Sequence, residues 1–370
     1  MRISIRNECP DFSSYRAARV KSLFNVDSGN VFELDADIPV EAQDWGLGVI
    51  VGPSGSGKTS LGRKILGPDA FYEPHDWNAD QPIIDTIAPA LSFDEVAAGL
   101  SAVGLGSVPV WLRSYSVLSN GERFRADLAR IVCERPSRIV IDEFSSVIDR
   151  QIARVGALAF AKAWRRTGGR CVLLSCHYDI LDWLQPDWVF DTASGEFTGR
   201  WVRRRPAVEI EVRETGWEWW SRFQPHHYLK MPHMIAAQCY VGFVDGEPIV
   251  HAAMSTRPGG TEARIARIVV MPEWQGMGIG LRFINELCAA WRRGRNRYGK
   301  PMPTLLNTSH PGLAAALRRH PLWAQVSSNL IGCNKERSRR SIVRSGRSNA
   351  STGYGGHFRA AQGFRYVEGI

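Results

Sequence analysis

Two stretches of this sequence combine glycines with neighbours that suit phosphate chemistry. The first is Gly52-Pro53-Ser54-Gly55-Ser56-Gly57-Lys58-Thr59, followed by Ser60. Residues without a Cβ let backbone N–H groups turn inward around an anion, and a helix N-terminus adds its positive end. Lys58 is spaced to reach β- and γ-phosphates, and Thr59 to offer a hydroxyl to Mg2+. Downstream, Arg138-Ile-Val-Ile-Asp142-Glu143 is an apolar run ending in two acids. After such a loop, Asp142 suits support of Mg2+ and Glu143 suits polarisation of an attacking water. Alone, an Asp-Glu pair at a strand end would say little.

The second stretch is Val269-Val270-Met271-Pro272-Glu-Trp-Gln275-Gly276-Met277-Gly278-Ile279-Gly280, which leads into an amphipathic segment. Small residues at a helix start again allow N–H groups to hold a pyrophosphate.

These residues need elements to carry them. Gly48–Val51 reads as a strand entering the first loop, with a helix from Thr59. Residues 138–142 and 171–175 read as buried parallel strands separated by a helix over 150–166. This alternation is the α/β pattern. Residues 17–24 and 31–36 read as two further short strands joined by a turn. Around residues 198–206 the chain turns basic and carries Pro206, which places a domain boundary there: 1–205, then 206–370. In the second part, 238–255 reads as a hairpin turning at Asp245-Gly246. A strand over 264–271, a helix over 280–293 and a strand over 303–308 follow. Residues 334–353 read as a polar, basic insert, and 357–367 regain apolar character.

The 370 residues are long enough for two domains. Hydrophobic content of 44% and charged content of 22% place the chain with globular proteins. Thirteen Trp read mainly as core and surface anchors. Seven Cys without a C-x-x-C pair argue against a zinc site or disulfide frame and suit a reducing compartment. No apolar run reaches the roughly 18–20 residues needed to span a bilayer. The expectation is a soluble, cytoplasmic protein without a membrane partner.

Leu118-Ser119-Asn120-Gly121-Glu122 stands about 60 residues past Lys58 and resembles the ABC signature, usually LSGGQ. The following run through Asp142-Glu143 matches that family's pattern. Asp149 resembles the D-loop acid, His177 the switch histidine and Gln81 the Q-loop glutamine. The resemblance covers about residues 15–192. It implies a head-to-tail homodimer in which Ser119 and Gly121 bind the γ-phosphate held by the other subunit's loop. ATP and Mg2+ are then the cofactors, with Thr59, Asp142 and Gln81 around the metal, and Glu143, His177 and Gln81 catalytic. Asn120 and Glu122 depart from the usual signature, and both look compatible with phosphate binding. Phe24, then Tyr15, are the candidates for stacking on adenine. The short span before Ser119 leaves little room for the helical subdomain with which transporter ATPases engage a membrane partner.

Gln275-x-x-Gly278-x-Gly280, behind Val269–Pro272, resembles motif A of the GNAT acetyltransferases. With Asn307 ending the next strand and Gly363-Phe-Arg-Tyr366 closing the chain, the resemblance covers about 207–370. It implies acetyl-CoA or another acyl-CoA as cofactor, its pyrophosphate on Gln275–Gly280 and its pantetheine arm along Val269–Met271. No residue takes the base role by position. His251, Glu262, Ser309 and His310 are candidates, with Asn307 a further acyl-transfer candidate and Tyr354 or Tyr366 as proton donor to the leaving thiolate. Asn307–Pro311 and the Ser351–Glu368 region also resemble GNATs of phages and mobile elements, some fused to ABC ATPases. The expected architecture is therefore an ABC ATPase domain with a reduced helical subdomain, then a GNAT-fold α/β domain.

Net charge is +9. Residues 335–347 hold six basic residues and one acid, and Arg203-Arg204-Arg205 stands at the expected boundary. Such clusters suit phosphate backbones, so DNA or RNA is the expected partner. The leading expectation is an ATP-dependent acyltransferase acting on nucleic acid or a protein attached to it. A DNA clamp with a non-catalytic GNAT scaffold, a regulated protein or small-molecule acetyltransferase, and a transporter ATPase are the alternatives.

Overall fold

Ser14 caps a helix where the sequence suggested a strand. The computed structural model describes residues 2–8, 10–24, 31–40, 44–73, 77–199, 206–229, 236–257, 260–331 and 359–367. Strand β1 (Arg2–Glu8) is followed by helix α1 (Tyr15–Phe24) and strand β2 (Val31–Asp37). The Ser14 Oγ accepts a hydrogen bond from Ala17 N at 3.2 Å, as an N-cap does. Val20, Leu23 and Phe24 recur at helical spacing. No residue of α1 is buried, so local propensity and its cap hold it rather than a core. β2 is the expected strand, but it pairs antiparallel with β1, which puts Ile3 and Ile5 into the core.

Next come β3 (Leu47–Val51), α2 (Lys58–Leu66), α3 (Ile83–Thr86), α4 (Phe93–Ala102), α5 (Val108–Trp111) and α6 (Asn120–Glu134). After them run β4 (Arg138–Ile141), α7 (Arg150–Trp164), β5 (Arg170–Ser175), α8 (Leu181–Leu184), β6 (Trp188–Asp191) and β7 (Glu196–Gly199). The sheet order is β4-β5-β3-β6-β7, parallel except for β7. The phosphate-loop strand β3 is thus central, and all five of its residues are buried. Continuous apolar runs are what such doubly covered strands require.

The C-terminal part contains β8 (Glu211–Thr215), α9 (Trp220–Phe223), β9 (Gln238–Val244), β10 (Glu247–Thr256), β11 (Ala263–Val270) and α10 (Ile279–Arg292). It continues with β12 (Thr304–Thr308), α11 (Pro311–Arg319), β13 (Trp323–Ile331) and β14 (Arg359–Tyr366). The sheet order is β13-β14-β12-β11-β10-β9-β8. The β9–β10 hairpin turns at Asp245 and Gly246, with φ of 51° and 82°, the conformation a two-residue hairpin turn demands. β11 and β12 are the parallel pair, and they stay paired only over Ala263–Ile265. A register shift against β10 follows at Ala266. Beyond it Arg267–Val270 keep β10 as a partner while β12 diverges. Phe283, Ile284, Leu287 and Trp291 of α10 pack on one face of this sheet, and Trp220, Phe223 and Met271 cluster with Val241 and Phe243 in a second core.

The chain divides into two compact units. One comprises residues 1–75, 135–148 and 161–206; the other comprises 76–134, 149–160 and 207–370. The crossing at 206/207 lies one residue from the boundary expected from sequence. The helical segment 76–134, however, packs with the C-terminal part of the chain, as the contact of α4 with α11 shows. The expected insert 334–353, Arg203–Arg205 and Tyr354 lie outside the described residues.

Gly48 lies under Trp188: a Cβ there would fall 2.1 Å from the indole ring. Gly48→Ala should destabilise the β3 sheet by about 1–3 kcal/mol or more through overpacking. The check is the shift of the first transition in guanidinium unfolding.

Candidate functional site

The loop between β3 and α2 has the geometry its glycines predict. Gly52, Gly55 and Gly57 have φ of 145°, 78° and 85°. A Cβ on Gly52 would strike Thr192 Oγ1 at 1.9 Å, so the backbone is held tightly at its first turn. Gly57 is the N-cap of α2 in the left-handed region and makes no side-chain cap. The first N–H groups of α2 are thus left for an anion. Lys58 Nζ donates to the carbonyls of Gly52 at 2.9 Å and Pro53 at 2.7 Å. Ser56 Oγ donates to Pro53 O at 2.7 Å.

Thr59 Oγ1 donates to Asp142 Oδ2 at 2.9 Å, joining the start of α2 to the end of β4. A hydroxyl and a carboxylate side by side are hard oxygen donors of the kind Mg2+ takes when phosphates complete its shell. Asp142 Oδ1 accepts from Glu143 N at 2.8 Å, and Glu143 has φ of 49°. A non-glycine residue held there is strained, and such strain concentrates at working sites. Glu143, Asp142, Lys58, Thr59 and Ser60 line one cleft of about 430 Å³ with Ser54, Gly55 and Gly57. Asn7, Ser146 and Cys176 line it as well. Asn7 donates to Ser60 Oγ at 3.1 Å. His177 follows Cys176, and its backbone N donates to Ser175 Oγ at 3.1 Å. Phe24 and Tyr15 are exposed on α1 and do not line this cleft.

Gln81, Ser119, Gly121 and Asp149 belong to the other unit. Ser119 and Glu122 form a capping box at the start of α6: Ser119 N donates to Glu122 Oε2 at 2.8 Å, and Glu122 N donates to Ser119 Oγ at 3.3 Å. Gly121 packs on Ile152, which a Cβ would approach to 3.0 Å. Asp149 Oδ1 accepts from Gln151 N at 2.8 Å and Ile152 N at 3.3 Å, starting α7. Gln81 is exposed just before α3. Nearby, Trp77 stacks on Tyr115 at 4.5 Å, and both donate to Asp127.

The second glycine-rich loop repeats the first in detail. Gly278 is the N-cap of α10 with φ 85° and ψ 9°, against 85° and 10° for Gly57, and it too makes no side-chain cap. Gly276 has φ of 94°. Ile279 is buried in the core with Phe283, so only its backbone faces the loop. Met277 packs against the same core, and a Cβ on Gly280 would lie 3.0 Å from Val270. Val269 and Met271 are buried against β10, and Met271 N donates to Ile249 O at 2.9 Å. The Gln275 side chain is committed within the protein: Nε2 donates to Val270 O and Oε1 accepts from Gly106 N, both at 2.9 Å.

Among the described residues the acyl-transfer candidates do not gather into a base and its partner. His310 Nδ1 accepts from Leu313 N at 3.3 Å, capping α11, so Nε2 carries the proton and donates to Gly106 O at 3.0 Å. Both nitrogens are occupied, and burial lowers its pKa. His310 is a clasp, not a base. Glu262 is held by Arg257 at 2.6 Å and Arg264 at 2.8 Å. Tyr366 is buried against Trp323 in the core. Asn307 is exposed, opposite Gly363 of β14, and Ser309 is half-buried. His251 is fully buried among Trp217, Trp220 and Phe223, with no hydrogen-bond partner for either ring nitrogen. Where β11 leaves β12, the side chain is Arg267, also buried.

Comparison with known proteins completes the picture. The model of the Acetyltransferase (GNAT) family matches residues 179–302. The zinc import ATP-binding protein ZnuC of Cereibacter sphaeroides is 30% identical over 165 residues, which cover 39% of this chain and 67% of that protein. The chain belongs to the ABC ATPase family. It carries a GNAT domain, so the two glycine loops are those of an ABC–GNAT fusion. ZnuC of Pseudomonas syringae is 27% identical, covering 39% of this chain and 61% of that protein. The spermidine/putrescine import ATP-binding protein PotA of Methylococcus capsulatus is 29% identical, covering 36% and 43%. The fusion thus spans two thirds or less of these relatives. A dimeric ATP-binding cassette in a post-hydrolysis state bound to ADP and Pi has a TM-score of 0.37 at 13% identity, covering 54% of this chain and 98% of that one.

Sequence reasoning missed three features of this ABC–GNAT chain. Asn7 lies on β1, far in sequence from the phosphate loop, and carries no motif. Tyr228 stands between His227, at 5.0 Å, and His310, at 6.0 Å, and only the run His226-His227-Tyr228 hinted at it. The capping box was legible as Ser119-x-x-Glu122.

Two predictions follow from the geometry. Lys58→Ala and Asp142→Asn should each lower kcat for ATP hydrolysis by about 10²-fold or more, as loss of a charge-stabilising group does, measured as phosphate release at saturating ATP. Burial lowers the pKa of both His227 and His251 to about 4. Both are therefore neutral in the folded chain, while unfolded histidine titrates near 6.5. Stability should be full above about pH 6.5 and fall as pH drops toward 4, by about 1.4 kcal/mol per pH unit for each histidine. Denaturant unfolding of His251→Phe should show a shallower decline.

Proposed function

We propose that this ABC–GNAT fusion hydrolyses ATP as a cytoplasmic, head-to-tail homodimer and moves an acyl group from acyl-coenzyme A to an amine on nucleic acid or a nucleic-acid-bound acceptor. One observation carries the reading: two helices, α2 and α10, start at left-handed glycines of matching conformation without a side-chain cap. One stands beside the Thr59–Asp142 pair and the other where β11 parts from β12. Bound Mg2+ would neutralise charge on the phosphates. Thr59 and Asp142 would hold it, with Gln81 joining them. Lys58 and the backbone of Gly52–Ser60 would bind the phosphates, and Glu143, with His177, would orient the water. Ser119, Gly121 and Asp149 would serve the partner protomer's nucleotide.

In the GNAT domain the backbone of Gln275–Gly280 would receive the coenzyme A pyrophosphate, and Val269–Met271 its pantetheine arm. An acceptor amine attacks the thioester carbonyl and the thiolate leaves with a proton. Ser309, Asn307 and Tyr354 remain the side chains proposed for that end of the site. The nucleic-acid acceptor is supported by the net charge of +9 and the basic runs 203–205 and 335–347. Import, the role in the relatives' names, fits less well. The helical segment that would meet a membrane partner packs instead on the GNAT domain of the same chain. Among the described residues no helix is long and apolar enough to cross a membrane.

A second reading has its own observation. Among the described residues His310 is occupied, Glu262 is ion-paired and Arg267 sits where the strands part. A GNAT domain so furnished could bind an acyl-CoA without transferring it. The test is ATP hydrolysis with and without duplex DNA, single-stranded DNA and tRNA, following acetyl-CoA loss in the same samples. Stimulation by one nucleic acid with loss of acetyl-CoA is the expected outcome. Stimulation without that loss supports the non-transferring reading, and no response from either activity overturns the nucleic-acid acceptor.

A further inference from the structure

The loop that would bind coenzyme A is not held by the GNAT sheet alone. Arg125, on α6 six residues beyond Ser119, is 4% exposed. Its Nη1 donates to Pro272 O at 2.6 Å and to Gly104 O at 3.0 Å. Gln275 adds its bond from Gly106 N, and His310 Nε2 donates to Gly106 O. The backbones are in direct contact: a Cβ on Gly104 would lie 2.4 Å from Gln275 O, and one on Gly276 2.9 Å from the Cβ of Ala159 on α7. Contacts this close do not deform gradually; they hold or they rearrange.

Arg125 is also poorly satisfied. Its Nε and Nη2 are buried without a hydrogen-bond partner. Burial lowers its pKa to about 10, opposed by the charges of Glu273 and Glu122. A guanidinium with two unused donors is costly as a purely structural element and well placed for a second arrangement. Glu122 is the natural trigger, because its carboxylate occupies Ser119 N–H. A γ-phosphate arriving at Ser119 is an anion competing for that same donor. Displaced, the Glu122 carboxylate would be drawn to the unused donors of Arg125, which would then release Pro272 O. Gln275 would follow and uncover the Val270 carbonyl, on the stretch where β11 no longer has β12 beside it.

We propose that α6 controls the coenzyme A loop through Glu122 and Arg125, so that nucleotide engaged at Ser119 tightens acyl-CoA binding at Gly276–Gly278. This rests on the ATP and acyl-CoA reading given above. Binding linkage is reciprocal, so acyl-CoA must tighten ATP by the same factor.

The test uses full-length Glu143→Gln, in which bound ATP should persist once the proposed water-orienting carboxylate is gone, with coenzyme A affinity measured with and without ATP and Mg2+. The expected tightening is about 5-fold or more, matched by coenzyme A acting on ATP. Adding Arg125→Met should bring the factor to within about 2-fold of unity. Glu122→Gln should do the same while keeping the bond to Ser119 N–H, which guards against a misfolded Arg125 variant. No tightening in Glu143→Gln alone, or full tightening surviving both substitutions, overturns the proposal. If coenzyme A does not bind at all, the acyl-CoA reading fails by itself. Hydrogen exchange over residues 272–280 then decides the coupling: ATP should change it several-fold in Glu143→Gln and not with Arg125→Met added. Unchanged exchange in the first protein overturns the proposal.

Discussion

A helix that starts at a left-handed glycine has no side chain to cap it and leaves its first N–H groups to find partners elsewhere; α2 and α10 start that way. At most helix starts a Ser, Thr, Asp or Asn supplies the missing acceptor, worth about 1 kcal/mol. The same chain does this elsewhere: Ser92 caps α4 in a full capping box, and His310 caps α11. At α2 and α10 a left-handed glycine stands instead. The surrounding structure serves those openings. β3 is buried on both faces so that its end is fixed, and β11 is pinned to β10 while β12 departs.

Much of this was legible in the sequence because it is local. β3, β4 and β5 are apolar runs, the hairpin announces itself at Asp245-Gly246, and each glycine loop lies between a strand and a helix. The error over residues 17–24 has a physical source. Short apolar runs fit either period, and α1 buries nothing that would have disclosed its face. The packing of 76–134 with the C-terminal part was illegible for another reason. It rests on pairs such as Arg125 with Pro272 and His310 with Gly106, which are 147 and 204 residues apart. A histidine after a strand reads equally as a base or as a cap, and only its two partners decide. Glu122 was visible, but as a tolerated variant of glutamine rather than as half of a capping box.

The tryptophans bear out the plainer of their readings. Trp164, Trp188, Trp220 and Trp291 are among the largest fully buried side chains. Trp217, Trp219 and Trp274 gather around Phe223, Phe243 and Met271 on one face of the C-terminal sheet. His251 and His227 sit against that cluster and lose their affinity for protons there. The aromatic layer thus makes the domain's interior a poor home for charge, which sharpens the contrast with Arg125 and Arg267, the two buried guanidinium groups among the described residues.

The short pairing of β11 with β12 has one more consequence. An unpaired strand margin is ordinarily found at the outside of a sheet, where it invites other chains to add on and aggregate. Here, among the described strands, the margin lies in the interior, with β12 and β14 beyond it. A flexible molecule with amide groups can extend a finger along it and be recognised as a guest strand. A neighbouring protein, too bulky to enter between two strands of one sheet, cannot.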